Sequence, residues 1–429
     1  MRNKKRFAGI LLVLVLLLTG TGCSTKRTYG EVSGFSYTVP SPSPESSRKE
    51  LGRGEGFSGQ LEKSSFPEAS LEVSAEKPAS TPEKSDTPTC RNLQEVRDLL
   101  WNTLENGKSE RSFLYTGDLD EITPELICRM TGAVYCTVWK GTQDPQRVDI
   151  QLTEYPGVRM VKAYQSGTVS SLRAEEQQAL NMALQVVSQA KAQAKTDLML
   201  ELALHDWLCE HITYNEGSTL VTDPEKIPRH LTAIGAILDG SANCQGYTDG
   251  FYLLASLAGF RVGMQNCLAV SGEGHIFNVI EINDIWSVVD VTFDDNSISL
   301  DGEILADAHL FNAGMDIAGQ EYSWPATYDR YPITKTTTSS YYYYTQEDSL
   351  YQCYGRAYSN LSDMAADIVN QWTTYGRTEM DLMLCGQKAT WSSLDQYLTE
   401  EARETGRAYS YQIIAVQKGN NTFFKVRFQ

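Results

Sequence analysis

The segment GHIFNVIEINDIWSVVDVTFDD, residues 274–295, constrains the chain more than any other. Two alternating runs meet at Asn283-Asp284, a pair suited to the positive φ angles of a two-residue hairpin loop. With that loop Ile282 faces Ile285, and paired positions sum to 567. Because side chains alternate between faces, the register fixes more than the pairing. His275 faces Thr292 and Phe277 faces Asp290. Residues 275 and 277 share a face, so His275 and Asp290 become diagonal neighbours. Such neighbours lie about 7–8 Å apart at Cα, within hydrogen-bonding reach of these two side chains. Asp294 shares the face as a reserve acid, and Asp295 does not.

A second segment, SANCQGYTDGFYLLASLAGF (241–260), reads as a helix opening at a cysteine. Ser241 or Asn243 can cap it, and Gly259 ends it. Tyr247, Phe251, Leu254 and Ala258 form one inward stripe. Cys244 falls in the first turn, where unpaired N–H groups and the positive end of the helix dipole favour a thiolate. A buried structural thiol would occupy the same place, since cysteine packs as a small hydrophobe. The chain has five histidines. His205 and His211 sit in an amphipathic helical stretch that packing explains, and His230 and His309 lie in loop-like stretches. His275 differs, opening the strand-like run GHIFNVIEI with Asp290 as its diagonal neighbour. Cys244, His275 and Asp290 thus compose a candidate triad: imidazole takes the thiol proton, and carboxylate fixes the tautomer and stabilises the imidazolium.

Together NCQGYTDGFYLLASLAGF and GHIFNVIEINDIWSVVDVTFDD resemble the transglutaminase-like superfamily of papain-fold thiol enzymes. Its bacterial members have a Cys-x-Gly-Tyr helix, a Gly-His strand and an Asp-Val-Thr strand. LALHDWLCEHITYN upstream and HLFNAGMD downstream resemble flanking pieces, and the likeness spans about Leu198 to Pro332. It implies an α+β, papain-like core with helices packed on an antiparallel sheet. It also implies Cys244 as nucleophile, His275 as base and Asp290 as orienting acid. The backbone N–H of Cys244 would serve the oxyanion, with Gln245 and Tyr214 as candidates for the second donor. The reaction implied is amide or peptide acyl transfer through a Cys thioester, with hydrolysis as the expected outcome. Protein cross-linking and a binding or scaffold module without turnover are the alternatives. No cofactor and no metal are expected: DDNSISLDGE offers oxygen ligands without the spacing of a calcium loop.

The remaining chain frames this core. Arg2, Lys4, Lys5 and Arg6 precede a 12-residue apolar run, Phe7–Leu18, too short to span a bilayer and suited to a signal peptide over 1–22. TGTGCS then resembles a bacterial lipoprotein signal, which implies lipidation at Cys23 and an extracytoplasmic, membrane-anchored protein. Residues 23–89 read as a disordered linker: 24–89 hold seven of the 14 prolines and little apolar surface. Losing the four N-terminal cations takes the formal charge from −17 to −21, which argues against nucleic acid as a partner. Location suggests a protein or peptide substrate, with cell-wall peptide one candidate. Nine widely spaced cysteines without a CxxC pair suggest neither a disulfide framework nor structural zinc.

Two smaller α/β modules are expected around the core, at 90–175 and 336–429, leaving 176–335 for the catalytic domain. Both read as helix-strand-helix-hairpin. In the first, VDIQLTEYPGVRMVKAY is expected as the hairpin, turning at Tyr155-Pro156-Gly157. In the second, the turn falls at Gly419-Asn420-Asn421. The run Tyr341–Tyr344 is either an aromatic platform for a ligand or a linker with alternating burial.

Overall fold

A computed structural model describes residues 35–38, 87–142, 146–219, 221, 223–295, 298–300, 303–305, 309–345, 354–418 and 420–428. The expected signal peptide, Cys23, most of the linker and Cys353 lie outside the described residues. Within the expected linker, Phe35–Thr38 is a strand (β1) paired antiparallel with Ser410–Ile413. Its FSYT sequence is rich in the aromatic and β-branched types that suit a pleated edge.

The first module runs Thr89–Cys90 (β2), Leu93–Glu105 (α1), Glu110–Tyr115 (β3), Pro124–Thr131 (α2), Tyr135–Lys140 (β4) and Gln146–Thr153 (β5). Asn92 and Thr123 cap its two helices through their side-chain oxygens. The strand order is β2-β3-β5-β4, with β2 parallel to β3 and the other pairs antiparallel. Val96, Leu100, Phe113, Ile127 and Val138 are fully buried between helices and sheet. Each such side chain contributes about 1.5–3 kcal/mol of burial free energy.

The expected hairpin beyond β5 is instead a strand followed by a helix, Pro156–Ser166 (α3). Proline at the first helical position and Gly167 at φ 72° closing the last turn are helix punctuation as readily as turn chemistry. Met160, Val161 and Ala163 bury one face, a spacing that alternation over seven residues had concealed. This helix packs with the helices of the central domain. In return, Tyr328 and Trp324 from the central segment join the first module's core.

The central domain continues with Ala174–Gln193 (α4), Asp197–His211 (α5) and the parallel two-residue pair Thr213–Tyr214 (β6) and Ser241–Ala242 (β7). The helix of interest, Cys244–Ala258 (α6), is followed by strands Arg261–Ala269 (β8), Gly274–Ile282 (β9) and Ile285–Val289 (β10). Then come Val291–Asp294 (α7), a short hairpin of Ile298–Leu300 (β11) with Glu303–Leu305 (β12), Met315–Glu321 (α8) and Tyr322–Ser323 (β13). The sheet order β10-β9-β8-β13 is antiparallel throughout. Helix α6 lies on β8 and β9, with α3, α4 and α5 packed around it. Helices on an antiparallel sheet are what the sequence implied, and the chain is α+β.

The last module comprises Tyr354–Tyr358 (β14), Leu361–Tyr375 (α9), Glu379–Leu384 (β15), Trp391–Glu404 (α10), Ser410–Lys418 (β16) and Asn421–Phe428 (β17). Its order β14-β15-β17-β16, parallel first pair included, repeats that of the first module. A helix-strand-helix-hairpin order is present in both, each preceded by one more strand, but the first module's hairpin is β4–β5 and not the expected one turning at Tyr155-Pro156-Gly157. Its closing hairpin pairs Lys418 with Asn421, one residue tighter than the expected turn. The tyrosine run joins this module to the centre. Tyr343 and Tyr344 are buried with Leu202, Phe311, Met383 and Phe423, so packing occupies them.

Candidate active site

The hairpin register is the expected one. Ile282 pairs with Ile285 and the ladder holds to Asn278–Val289, with Asn283 at φ 53° and Asp284 at φ 62°. The strand then stops one residue early. Asp290 turns out of β10 to cap α7, its Oδ1 accepting from Phe293 N–H at 3.1 Å, so Thr292 does not face His275. The bend leaves the side-chain meeting intact: His275 Nε2 and Asp290 Oδ2 are 2.6 Å apart. Both residues are buried, and Tyr322 on β13 donates its hydroxyl to the same carboxylate oxygen. The Tyr322 ring stacks on His275 at 5.3 Å between centroids and 14° between planes, and Phe293 meets the imidazole edge-on. Burial pushes the Asp290 carboxyl up. His275, the Tyr322 hydroxyl and the Phe293 amide outweigh it, so the group sits below the usual carboxylate range.

Asn243 caps α6, its Oδ1 accepting from the N–H groups of Gln245 and Gly246 at 3.1 and 3.3 Å. Cys244 is therefore the first helical residue and only 4% exposed. One turn later Thr248 Oγ1 donates to the Ile276 carbonyl at 3.1 Å, and Asn278 Nδ2 donates to the Thr248 carbonyl. These bonds fasten the first turns of α6 to the strand residues just after His275. Cys244 and Ile276 share one buried cluster with Val134, Tyr135, Tyr155, Val221 and Leu231. The thiol is thus walled partly by the central domain and partly by the end of the first module.

The two oxyanion candidates are placed differently. Gln245 Nε2 donates to the Tyr155 hydroxyl at 3.1 Å, so that side chain is engaged. Tyr214 lies beside Ala242 in the β6–β7 pair, its ring stacked on Tyr247 at 6.4 Å. Asp294, the reserve acid, does not reach His275. It is buried against His205 Nε2 at 3.3 Å and accepts from Leu310 N–H at 3.1 Å. Asp295 takes the Tyr247 hydroxyl. Both leading acids of DDNSISLDGE are therefore held by protein groups.

Three further residues matter that motif reading did not single out. Tyr322 lies in an unremarkable EYSWP stretch with no spacing signal. Tyr155 stands where the sequence suggests a turn. Asp249 faces away from the triad: its Oδ atoms accept from Gly157 N–H at 3.0 and 3.1 Å and from Ala233 N–H at 2.7 Å. It caps α3 from another helix, and burial pushes it up to about 7.

No protein-family model and no curated protein matches the chain. Among solved structures, a TGase is 14% identical over 43% of this chain and half of its own length, at a TM-score of 0.25. A candidate cysteine protease from Cytophaga hutchinsonii is 13% identical over 36% of this chain and 61% of its own, at 0.23. A candidate protease from Parabacteroides distasonis is 6% identical over 75% and 66%, at 0.21. Superpositions this weak carry no argument, and the chemistry has to come from the site's own residues.

Proposed function

We propose that this protein is a thiol enzyme of amide or peptide acyl transfer, with Cys244 as nucleophile, His275 as base and Asp290 as orienting acid. The 2.6 Å bond between His275 Nε2 and Asp290, on a strand fastened to the first turns of α6, carries the reading. With Nε2–H committed to a carboxylate, the tautomer leaves Nδ1 as the proton acceptor. The thiol proton passes to Nδ1, and sulfur attacks the carbonyl carbon. Collapse of the tetrahedral intermediate breaks the C–N bond, and the imidazolium returns its proton to the leaving amine. Water then attacks the thioester and regenerates the thiol.

The enclosure of Cys244 favours a second reading. A thiol 4% exposed among Tyr135, Tyr155 and Val221 has the water exclusion that an amine acceptor needs to compete with hydrolysis. Lipidation at Cys23 and the proline-rich stretch after it would place the enzyme on the outer face of a membrane, facing protein or wall peptide.

Iodoacetamide labelling tests the core of the proposal. Cys244 is expected to alkylate faster than a free reference thiol near neutral pH, and His275→Ala to abolish the advantage. A wild-type rate no greater than the reference, unchanged by His275→Ala, would defeat it. Incorporation of a labelled primary amine into acceptor protein would favour cross-linking.

A further inference from the structure

The Tyr155 hydroxyl lies between β5 and α3, outside the segment in which the sequence places the catalytic machinery. The residue is 2% exposed and shares the buried cluster of Cys244. Its oxygen accepts the Gln245 Nε2 bond at 3.1 Å, its one hydrogen bond among the described residues. Among the described residues the phenol oxygen accepts this bond and its proton is given to none, so the hydroxyl can still donate. The same few residues hold two more buried polar atoms in need of a partner, Asn243 Nδ2 and Gln245 Oε1. Of these, Asn243 Nδ2 and the Tyr155 hydroxyl are donors, the groups that can meet the oxyanion of a tetrahedral acyl group bound to the thiol.

We propose that Tyr155 donates its phenolic O–H to the oxyanion formed when Cys244 attacks a carbonyl, and that Gln245 is the positioning residue that holds the phenol. The inference rests on the proposed thiol chemistry. As sulfur bonds to carbon, the C=O π pair moves to oxygen. Tyr155 and the Cys244 N–H stabilise that charge until the π bond re-forms and the leaving group departs. Burial, with Asp249 and Cys244 nearby, pushes the Tyr155 hydroxyl up, so it stays a donor throughout the working range. The module before the catalytic domain would then complete the active site.

Two probes separate this role from packing. p-Nitrophenyl acetate acylates a thiolate through an oxyanion and releases nitrophenolate; iodoacetamide alkylates it without one. Tyr155→Phe in the full chain is expected to lower the acylation rate about 10²-fold, the usual effect of losing one oxyanion donor. The alkylation rate should stay within about twofold. Gln245→Leu keeps the phenol but removes the amide that holds it, and should lower acylation selectively by a smaller factor, about tenfold. An acylation rate unchanged in Tyr155→Phe overturns the proposal, as does an equal loss with both probes in both variants. If wild-type Cys244 is no faster than a reference thiol with either probe, the thiol-enzyme reading itself has failed. A fast wild type matched by Tyr155→Phe removes only this role.

Discussion

Asp290→Asn is the sharpest perturbation of the proposed triad, because it alters chemistry with almost no change of shape. In the wild type, Oδ1 caps Phe293 N–H at 3.1 Å, while Oδ2 receives His275 Nε2 at 2.6 Å and the Tyr322 hydroxyl. Asparagine can keep the cap through its oxygen, which turns its NH2 toward His275. Nε2 must then accept, the ring proton moves to Nδ1, and the imidazole can no longer take a proton from Cys244. A wrong tautomer of this kind costs about 10⁴ in rate, or about 5.5 kcal/mol of barrier at 1.36 kcal/mol per tenfold. Acylation by p-nitrophenyl acetate and a pH series of iodoacetamide alkylation measure it. The variant's alkylation should lose the wild type's advantage near neutral pH and rise only as the solution becomes alkaline. Stability gives an independent sign. The folded-state Asp290 carboxyl lies below its unfolded value. Its contribution is therefore full above about pH 4, and lost as pH falls through the folded-state value. The wild type's stability lead over Asn should shrink in that acid window. An Asn variant that keeps the wild-type acylation rate and alkylation profile would refute the proposed role of Asp290.

Gly157→Ala should destabilise the protein by about 1–3 kcal/mol, read as a lower urea midpoint. A Cβ there would stand 2.3 Å from Asp249 Oδ1 and 2.8 Å from the Asp249 carbonyl, pushing α3 off α6. His205→Ala should cost about 3–5 kcal/mol by taking the imidazole from between Asp294 and Asp206, beside Cys209, in a fully buried site. Burial alone would lower the His205 pKa, but Cys209, Asp206 and Asp294 raise it well above 6.5. Its stabilisation is therefore full below about pH 6.5 and fades as pH rises through the folded value. A wild-type-to-variant gap that widens with pH would contradict that sign.

How far the sequence led depends on the range of the interaction involved. The His275–Asp290 hairpin was legible because a two-residue loop and a period of two leave one register, and both are local. Asn243 and Gly259 marked the ends of α6 for the same reason. Helix α3 was misread because PGVRMVKAY satisfies a strand's alternation and a helix's stripe equally over so few residues. What settled it was Asp249, 92 residues away, offering its carboxylate to the Gly157 amide. Tyr322 escaped notice likewise. It reaches His275 only after β13 pairs Tyr322 with Ala269, and no spacing in the chain records that pairing. The extra strand preceding each flanking module was also missed. β2 has only two residues, too few to show a period.

The way Asp249 is held bears on where the functional unit begins. Residues 176–335 contain Cys244, His275, Asp290 and Tyr322, and by themselves resemble a complete thiol site. Cut there, Asp249 would lose the Gly157 N–H that meets both its oxygens, keeping Ala233 alone. A carboxylate buried on the same helix as the nucleophile would be left with one donor, at a cost of roughly 1–3 kcal/mol per lost partner. Tyr135 and Tyr155 would go from the wall of Cys244, and Met160 and Val161 from the face of α6. The apolar enclosure that, in the proposed chemistry, would favour an amine over water at the thioester comes in large part from before residue 176. A chain cut at residue 176 would fold around a more exposed thiol, so under the proposed function the first module and α3 would contribute to the site and not only to the scaffold.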